Sequence, residues 1–202
     1  MKTVNIKSKK ITPAIVKLVA GALESGQILV LPTDTIYGLS CRADDPLAIK
    51  RIYKLKERDP KRPLIILVSD LAMLKRYASL SSRQASFLKK IWGADARPTT
   101  IVLDPLDNLP RELYGAHGSL ALRLPKSEFL IKIIKKLKRP IVSTSLNLSG
   151  QESIMSVKRL SGYFPATKNG PDLIVDQGYC RRRRPSRLID LRDGTKPLIL
   201  RK

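Results

Sequence analysis

Histidine occurs once in these 202 residues, cysteine twice and tryptophan once, and aromatic residues make up only 5% of the chain. The lone His117, in a Gly-rich turn, rules out a multi-histidine metal site, and a histidine-based catalytic triad would have to rest on it alone. A chain of this length and 43% hydrophobic content builds a core without disulfide staples, so Cys41 and Cys180 are expected as reduced thiols in a cytoplasmic protein. Neither cysteine belongs to a metal-ligand cluster. No apolar run approaches the roughly 18 residues that a membrane span needs, and Met1 to Lys10 lacks the apolar core of a signal peptide. Neither G-x-x-x-x-G-K-[ST] nor G-x-G-x-x-G occurs, so nucleotide loops of those two kinds are absent. No internal repeat and no Gly/Ser-rich linker divides the sequence, and a single domain over residues 1–202 is expected.

Negative charge is the other scarcity. Lys and Arg number 39 against 17 for Asp and Glu, for a net charge of +22 and a pI near 10.4. Such a balance points to a polyanionic partner or substrate, with a generally basic proteome as the alternative.

The remaining pattern alternates helices and strands. Thr12-Pro13, Asp45-Pro46, Ser69-Asp70, Ser81-Ser82 and Ser127 are N-cap signals, each followed by apolar residues at helical spacing. Short apolar runs at Gln27 to Pro32, Leu64 to Val68, Thr100 to Leu103, Ser119 to Leu122 and Ile141 to Thr144 read as strands. Further strands are expected near Leu173 to Val175, Arg187 to Leu191 and Pro197 to Leu200, with a short helix near Ser156 to Tyr163. The order implies an α/β fold with a twisted mixed parallel and antiparallel sheet flanked by helices, carrying a basic concave groove. Three polar clusters are expected at the carboxyl ends of strands: Thr33 to Thr35, Ser143 to Asn147, and the loop after Lys56.

That loop holds Lys56, Arg58, Lys61 and Arg62 within seven residues, a set of cations suited to a triphosphate, or else a solvated basic loop. Ser143-Thr144-Ser145-Leu146-Asn147-Leu148-Ser149-Gly150 offers hydroxyls, a carboxamide and backbone amides to phosphate or carboxylate oxygens, or caps a helix. Arg181 to Arg184 is a solvated loop or a contact for an RNA backbone.

Pro32 to Leu39 (P-T-D-T-I-Y-G-L), Lys56 with Arg58 (K-x-R), and Ser145 with Asn147 (S-x-N), in that order, resemble the YrdC-like (TsaC) family of threonylcarbamoyl-AMP synthases. Leu120 to Pro125, Pro185 to Asp190 and Pro197 to Arg201 extend the similarity over nearly the whole chain. The resemblance implies conversion of L-threonine, bicarbonate or carbon dioxide, and ATP to threonylcarbamoyl-AMP and pyrophosphate, for threonylcarbamoyladenosine modification of tRNA. It implies magnesium with the ATP, tRNA or tRNA-modification proteins as partners, and no membrane. Lys56 and Arg58 would be catalytic. Arg58, Arg62, Ser119, Ser143, Ser145, Asn147, Ser153 and Arg201 would hold ATP; Thr33, Thr35, Arg123 and Ser186 would hold threonine. No residue is assigned as a metal ligand.

The sequence departs from the family pattern at Asp59, which precedes Pro60, and at Arg62, where a smaller polar residue is usual. Leu67 stands where long relatives place a threonine-binding histidine, Trp92 to Thr100 is altered with extra residues, and Arg187 replaces a small threonine. No second domain after Lys202 is expected. The rival readings are a non-catalytic double-stranded RNA- or tRNA-binding or ribosome-maturation factor of the same fold, and a carbamoyl-transfer relative with another acceptor.

Overall fold

Helices begin in this chain where a short polar side chain meets an unpaired amide. In the computed structural model, which describes residues 2–6, 11–93, 96–115, 118–164, 170–181, 184–193 and 196–202, Thr12 accepts the Ile15 amide and opens α1 (Pro13–Glu24). Gly26 follows at φ +71°, a left-handed position that glycine enters without strain. Asp45 caps α2 (Pro46–Leu55), Asp70 the single turn α3 (Leu71–Leu74), and Ser127 α5 (Glu128–Leu137). Ser81 and Gln84 form a reciprocal capping box for α4 (Ser82–Ile91). In α5 the spacing sends Phe129, Leu130, Ile133, Ile134 and Leu137 into the core while Lys132, Lys135 and Lys136 stay exposed. The helix expected at Ser156 to Tyr163 is a 3-10 segment, Val157–Gly162.

The strands are β1 (Lys2–Asn5), β2 (Leu29–Pro32), β3 (Tyr37–Arg42), β4 (Ile65–Leu67), β5 (Thr99–Leu103), β6 (Leu120–Arg123), β7 (Ile141–Ser145), β8 (Leu173–Asp176), β9 (Arg187–Asp190) and β10 (Leu198–Arg201). They form one mixed sheet in the order β1-β8-β2-β3-β7-β4-β6-β5-β9-β10. The pairs β1–β8, β8–β2, β4–β6 and β5–β9 are parallel; the other neighbours are antiparallel. Two strands, β1 and β3, have no counterpart in the sequence reading. Thr33 to Ile36 is the turn of a β2–β3 hairpin, and Tyr-Gly-Leu-Ser-Cys-Arg alternates too weakly to announce the second arm.

Register places the functional face. Gly38 pairs with Ser145, Ile65 with Ser143, and Leu67 with Arg123, so these six residues share one face of the sheet. On the opposite parity Leu39, Ile66, Ile101, Leu122 and Val142 are fully buried in a core that also takes in Val19, Leu23, Ile52 and Ile133 from the helices. Two of the three polar clusters lie at strand carboxyl ends as expected, Thr33 to Thr35 after β2 and Ser145 to Asn147 at the end of β7, whereas the Lys56 loop joins the end of α2 to β4. Among the described residues no helix is long and apolar enough to cross a membrane.

Candidate active site

A cavity of about 580 Å³ lies on this face. It brings together Thr33, Thr35, Arg58, Arg123, Ser143, Ser145, Ser153, Ser186 and Arg201 from the residues expected to bind substrate. The side chains of Lys56, Arg62, Ser119 and Asn147 are not part of its lining. Leu67 is, and contributes an apolar wall.

The Thr33 to Ile36 turn is held by one hydroxyl. Thr33 Oγ1 donates to Ile36 O at 2.6 Å and accepts the amides of Thr35 and Ile36 at 3.1 and 3.2 Å. Its oxygen also lies 2.9 Å from the Thr35 hydroxyl, a contact in which either hydroxyl can be the donor. Thr35 lines the cavity beside it. Gly38 lets the hairpin approach β7: a Cβ there would lie 2.6 Å from Ser143 Oγ and 3.2 Å from Thr144 O. Tyr37 is fully buried, and its hydroxyl donates to Gly178 O at 2.9 Å while accepting the Gln177 amide at 2.8 Å. Burial holds this phenol well above its ordinary range, so it serves as a neutral strut to the turn carrying Tyr179.

The two cations of the K-x-R pair have different environments. Lys56 is 1% exposed, and its Nζ donates to Ser145 O at 2.5 Å, Asn147 O at 2.7 Å and Asn147 Oδ1 at 2.8 Å. Burial, with the Arg58 charge beside it, pushes the ammonium down to about 7, while three oxygen acceptors favour the charged form. Asn147 Oδ1 also accepts Ser145 Oγ at 2.6 Å, and Asn147 Nδ2 reaches Gln151 O at 2.6 Å. Lys56 thus fixes the serine-rich loop from beneath. Arg58 lines the cavity, its Nε and Nη2 braced on Arg62 O and Pro63 O at 3.0 and 3.2 Å. Burial first, and the Arg62 charge among smaller effects, make its guanidinium a stronger acid than usual. The Arg62 side chain is exposed.

Across the cavity, Arg123 pairs with Asp34, and Ser186 Oγ meets Thr100 Oγ1 at 2.8 Å. Arg201 reaches from β10 to bond Ser186 O through Nε and Nη2 at 3.0 and 2.8 Å. Burial, then the charges of Arg123 and Arg97, lower its pKa. Three guanidiniums thus face the cavity, against the carboxylates of Asp34 and Glu152. Such a set receives an elongated anionic ligand with several polar handles.

The profile of the Sua5/YciO/YrdC family, described as telomere recombination, matches residues 21–202. The chain belongs to the Sua5/YciO/YrdC family. A threonylcarbamoyl-AMP synthase of Pyrococcus abyssi is 33% identical over 187 residues, 92% of this chain and 53% of that protein. The chain therefore spans about half the length of that relative. A threonylcarbamoyl-AMP synthase of Hydrogenovibrio crunogenus is 30% identical over 157 residues, covering 75% of this chain and 82% of its own. The crystal structure of P. abyssi Sua5 complexed with L-threonine matches with a TM-score of 0.84 at 31% identity, over 99% of this chain and 56% of that one. The mixed sheet flanked by helices is the Sua5/YciO/YrdC fold.

Within this family framework, Asp34, Glu152, Met155 and Tyr179 line the cavity without having been expected there. Asp34 had a signal, lying between two threonines of the P-T-D-T motif; Tyr179 had only its nearness to the arginine run. Tyr179 is 70% exposed. His117, Arg182 and Arg183 lie outside the described residues, while Arg181 and Arg184 are exposed.

Proposed function

We propose that the chain is an L-threonylcarbamoyladenylate synthase. The observation that carries this reading is the convergence, in one cavity, of Thr35, Arg123 and Ser186 with Arg58, Ser143, Ser145 and Ser153. The names of the Pyrococcus and Hydrogenovibrio relatives, and the threonine complex of P. abyssi Sua5, agree with it. In this reading the threonine amine adds to carbon dioxide with loss of a proton, or to bicarbonate with loss of water, and a carbamate forms either way. One carbamate oxygen then bonds to the α-phosphorus of ATP as the bond to the bridging oxygen breaks and pyrophosphate leaves. This chemistry needs reactants held in line and negative charge neutralised, which guanidiniums and hydroxyls supply without a nucleophilic side chain.

Arg58 meets the phosphates, with Ser143, Ser145, Ser153 and Arg201 along the nucleotide. Arg123 takes the threonine carboxylate, and Thr33 keeps Thr35 in place. Lys56 and Asn147 act one layer below, by setting the loop from which Ser143 and Ser145 project. Ser119 and Arg62 would meet only a nucleotide reaching past the lining of the cavity. Among the described residues there is no cluster of three or more metal-ligating side chains, and Asp34 is already ion-paired. Magnesium fits as the counter-ion of the triphosphate, not in a carboxylate cage of the protein. The product would pass to tRNA-modification proteins, and a direct tRNA contact would fall on the exposed Arg181 and Arg184 beside the cavity.

Pyrophosphate release by the purified chain with ATP, magnesium and bicarbonate tests the reading. Release should require L-threonine. Threonine-independent release, or none, overturns the assignment; salt-sensitive RNA binding in its place would favour a nucleic-acid-binding role.

A further inference from the structure

Two acids, Asp34 and Glu152, stand in a cavity otherwise furnished for anions, and Asp34 is enclosed there by an ion pair. Asp34 lines that cavity, in the turn between β2 and β3, yet its carboxylate is only 7% exposed. Its Oδ2 accepts Nη2 of Arg123 and, at 3.1 Å, the main-chain amide of Lys126. The ion pair joins residues 89 positions apart and fastens the turn to the end of β6. Arg123 is equally enclosed, with 8% side-chain exposure.

One detail gives the pair a purpose beyond stability. Nε of Arg123 is buried and has no hydrogen-bond partner, although the residue lines the cavity. A guanidinium presents its N–H groups in a rigid planar fork, so an acceptor that fixes Nη2 also fixes the direction of the Nε–H. A charged donor left dry and unpaired is costly, so Arg123 keeps this pose through its bond to Asp34. Resting on the threonine-binding reading above, we propose that Asp34 is a positioning residue, holding Arg123 by Nη2 so that the guanidinium lining the cavity meets the carboxylate of the amino-acid substrate.

The proposal makes a prediction opposite in sign to a simple charge argument. Asp34 lies close to the site of a substrate carboxylate, so if it acted only as a negative charge, removing it would tighten substrate binding. If it aims Arg123, removing its charge loosens the fork and weakens binding.

Asp34→Asn keeps the shape and removes the charge; L-threonine and L-threoninamide differ in the carboxylate alone. Calorimetric titration of the intact chain with each ligand, paired with steady-state kinetics, reads the effect. For D34N the Kd and KM for L-threonine should rise about 10-fold or more, with KM for ATP within about 2-fold and kcat within about 3-fold. The wild-type preference for L-threonine over L-threoninamide should collapse toward that of Arg123→Ala. Asp34→Glu, which keeps the charge at a longer reach, should retain part of that preference. Unchanged or tighter threonine binding in D34N, or equal losses for both ligands, overturns the role of Asp34 alone. Failure of both variants to fold overturns it too, since the residue would then serve the fold only. A wild-type chain that binds no L-threonine overturns the threonine reading along with it.

Discussion

Lys56 and Asn147 are joined twice, the ammonium donating to both the main-chain carbonyl and the side-chain oxygen of the asparagine, at 2.7 and 2.8 Å. With Ser145 O this makes three oxygens around one buried ammonium. Lys56→Met would take the ammonium from all three, leaving Ser145 O with the Asn147 amide and Asn147 Oδ1 with the Ser145 hydroxyl, and should cost about 3 kcal/mol or more of stability in urea unfolding. KM for ATP should rise as the loop carrying Ser143 and Ser145 loosens.

The same group has a pH signature. An unfolded lysine keeps its proton up to about 10.4, whereas burial, with the Arg58 charge, brings the folded one down to about 7. Between those values the unfolded chain binds more protons, so stability from this group rises with pH there and is least favourable below pH 7. The stability gap between wild type and K56M should widen from about pH 6.5 to about pH 9. A flat gap would mean that the three oxygens keep the proton at its ordinary affinity.

Arg58 lines the cavity and Arg62 does not, although both belong to the same basic loop. Arg58→Ala should lower kcat/KM for ATP by about 100-fold or more, and Arg62→Ala by less than about 10-fold. Comparable losses would place the triphosphate over the exposed face of the loop.

The Thr35 hydroxyl of the hairpin turn is open to a three-way comparison. Thr35→Val removes the hydroxyl oxygen and should raise KM for threonine about 10-fold with ATP little affected. Thr35→Ser keeps the hydroxyl and should stay within about 3-fold of wild type. Similar losses in both would mean that the threonine methyl, not the oxygen, is recognised.

Gly38→Ala should destabilise by about 1–3 kcal/mol, because its Cβ meets Ser143 Oγ and the less yielding Thr144 carbonyl. Combining it with Ser143→Ala removes one of these obstacles and should recover part of the loss in thermal melting. Additive destabilisation would show that the carbonyl alone sets the limit.

Local signals were read well from this sequence because they are local. Thr12, Asp45, Asp70, Ser81 and Ser127 each cap a helix within three residues of themselves. The anion-binding character of the site and most of its polar lining are also legible, through hydroxyls and cations carried by strand-edge motifs. What escaped depends on distant partners. Lys56 reads as one cation of a solvated loop until a segment some 90 positions away closes over it, the separations being 89 and 91. Asp34 reads as a turn residue until Arg123 arrives. β3 was hidden because its partners, β2 and β7, supply the pairing that Gly38, Ser40 and Cys41 do not advertise.

Arg201 comes from β10, an outermost strand whose four residues are all exposed and which is hydrogen-bonded along one side only, to β9. Edge strands of this kind fray, opening with far smaller free energies than the core beneath them. One wall of the cavity is therefore assembled and dismantled on a different clock from the rest, and occupancy by a nucleotide should slow amide exchange in β10 more than in β7. The site is furnished in part by an edge of the sheet, so its affinity carries the cost of keeping that margin closed.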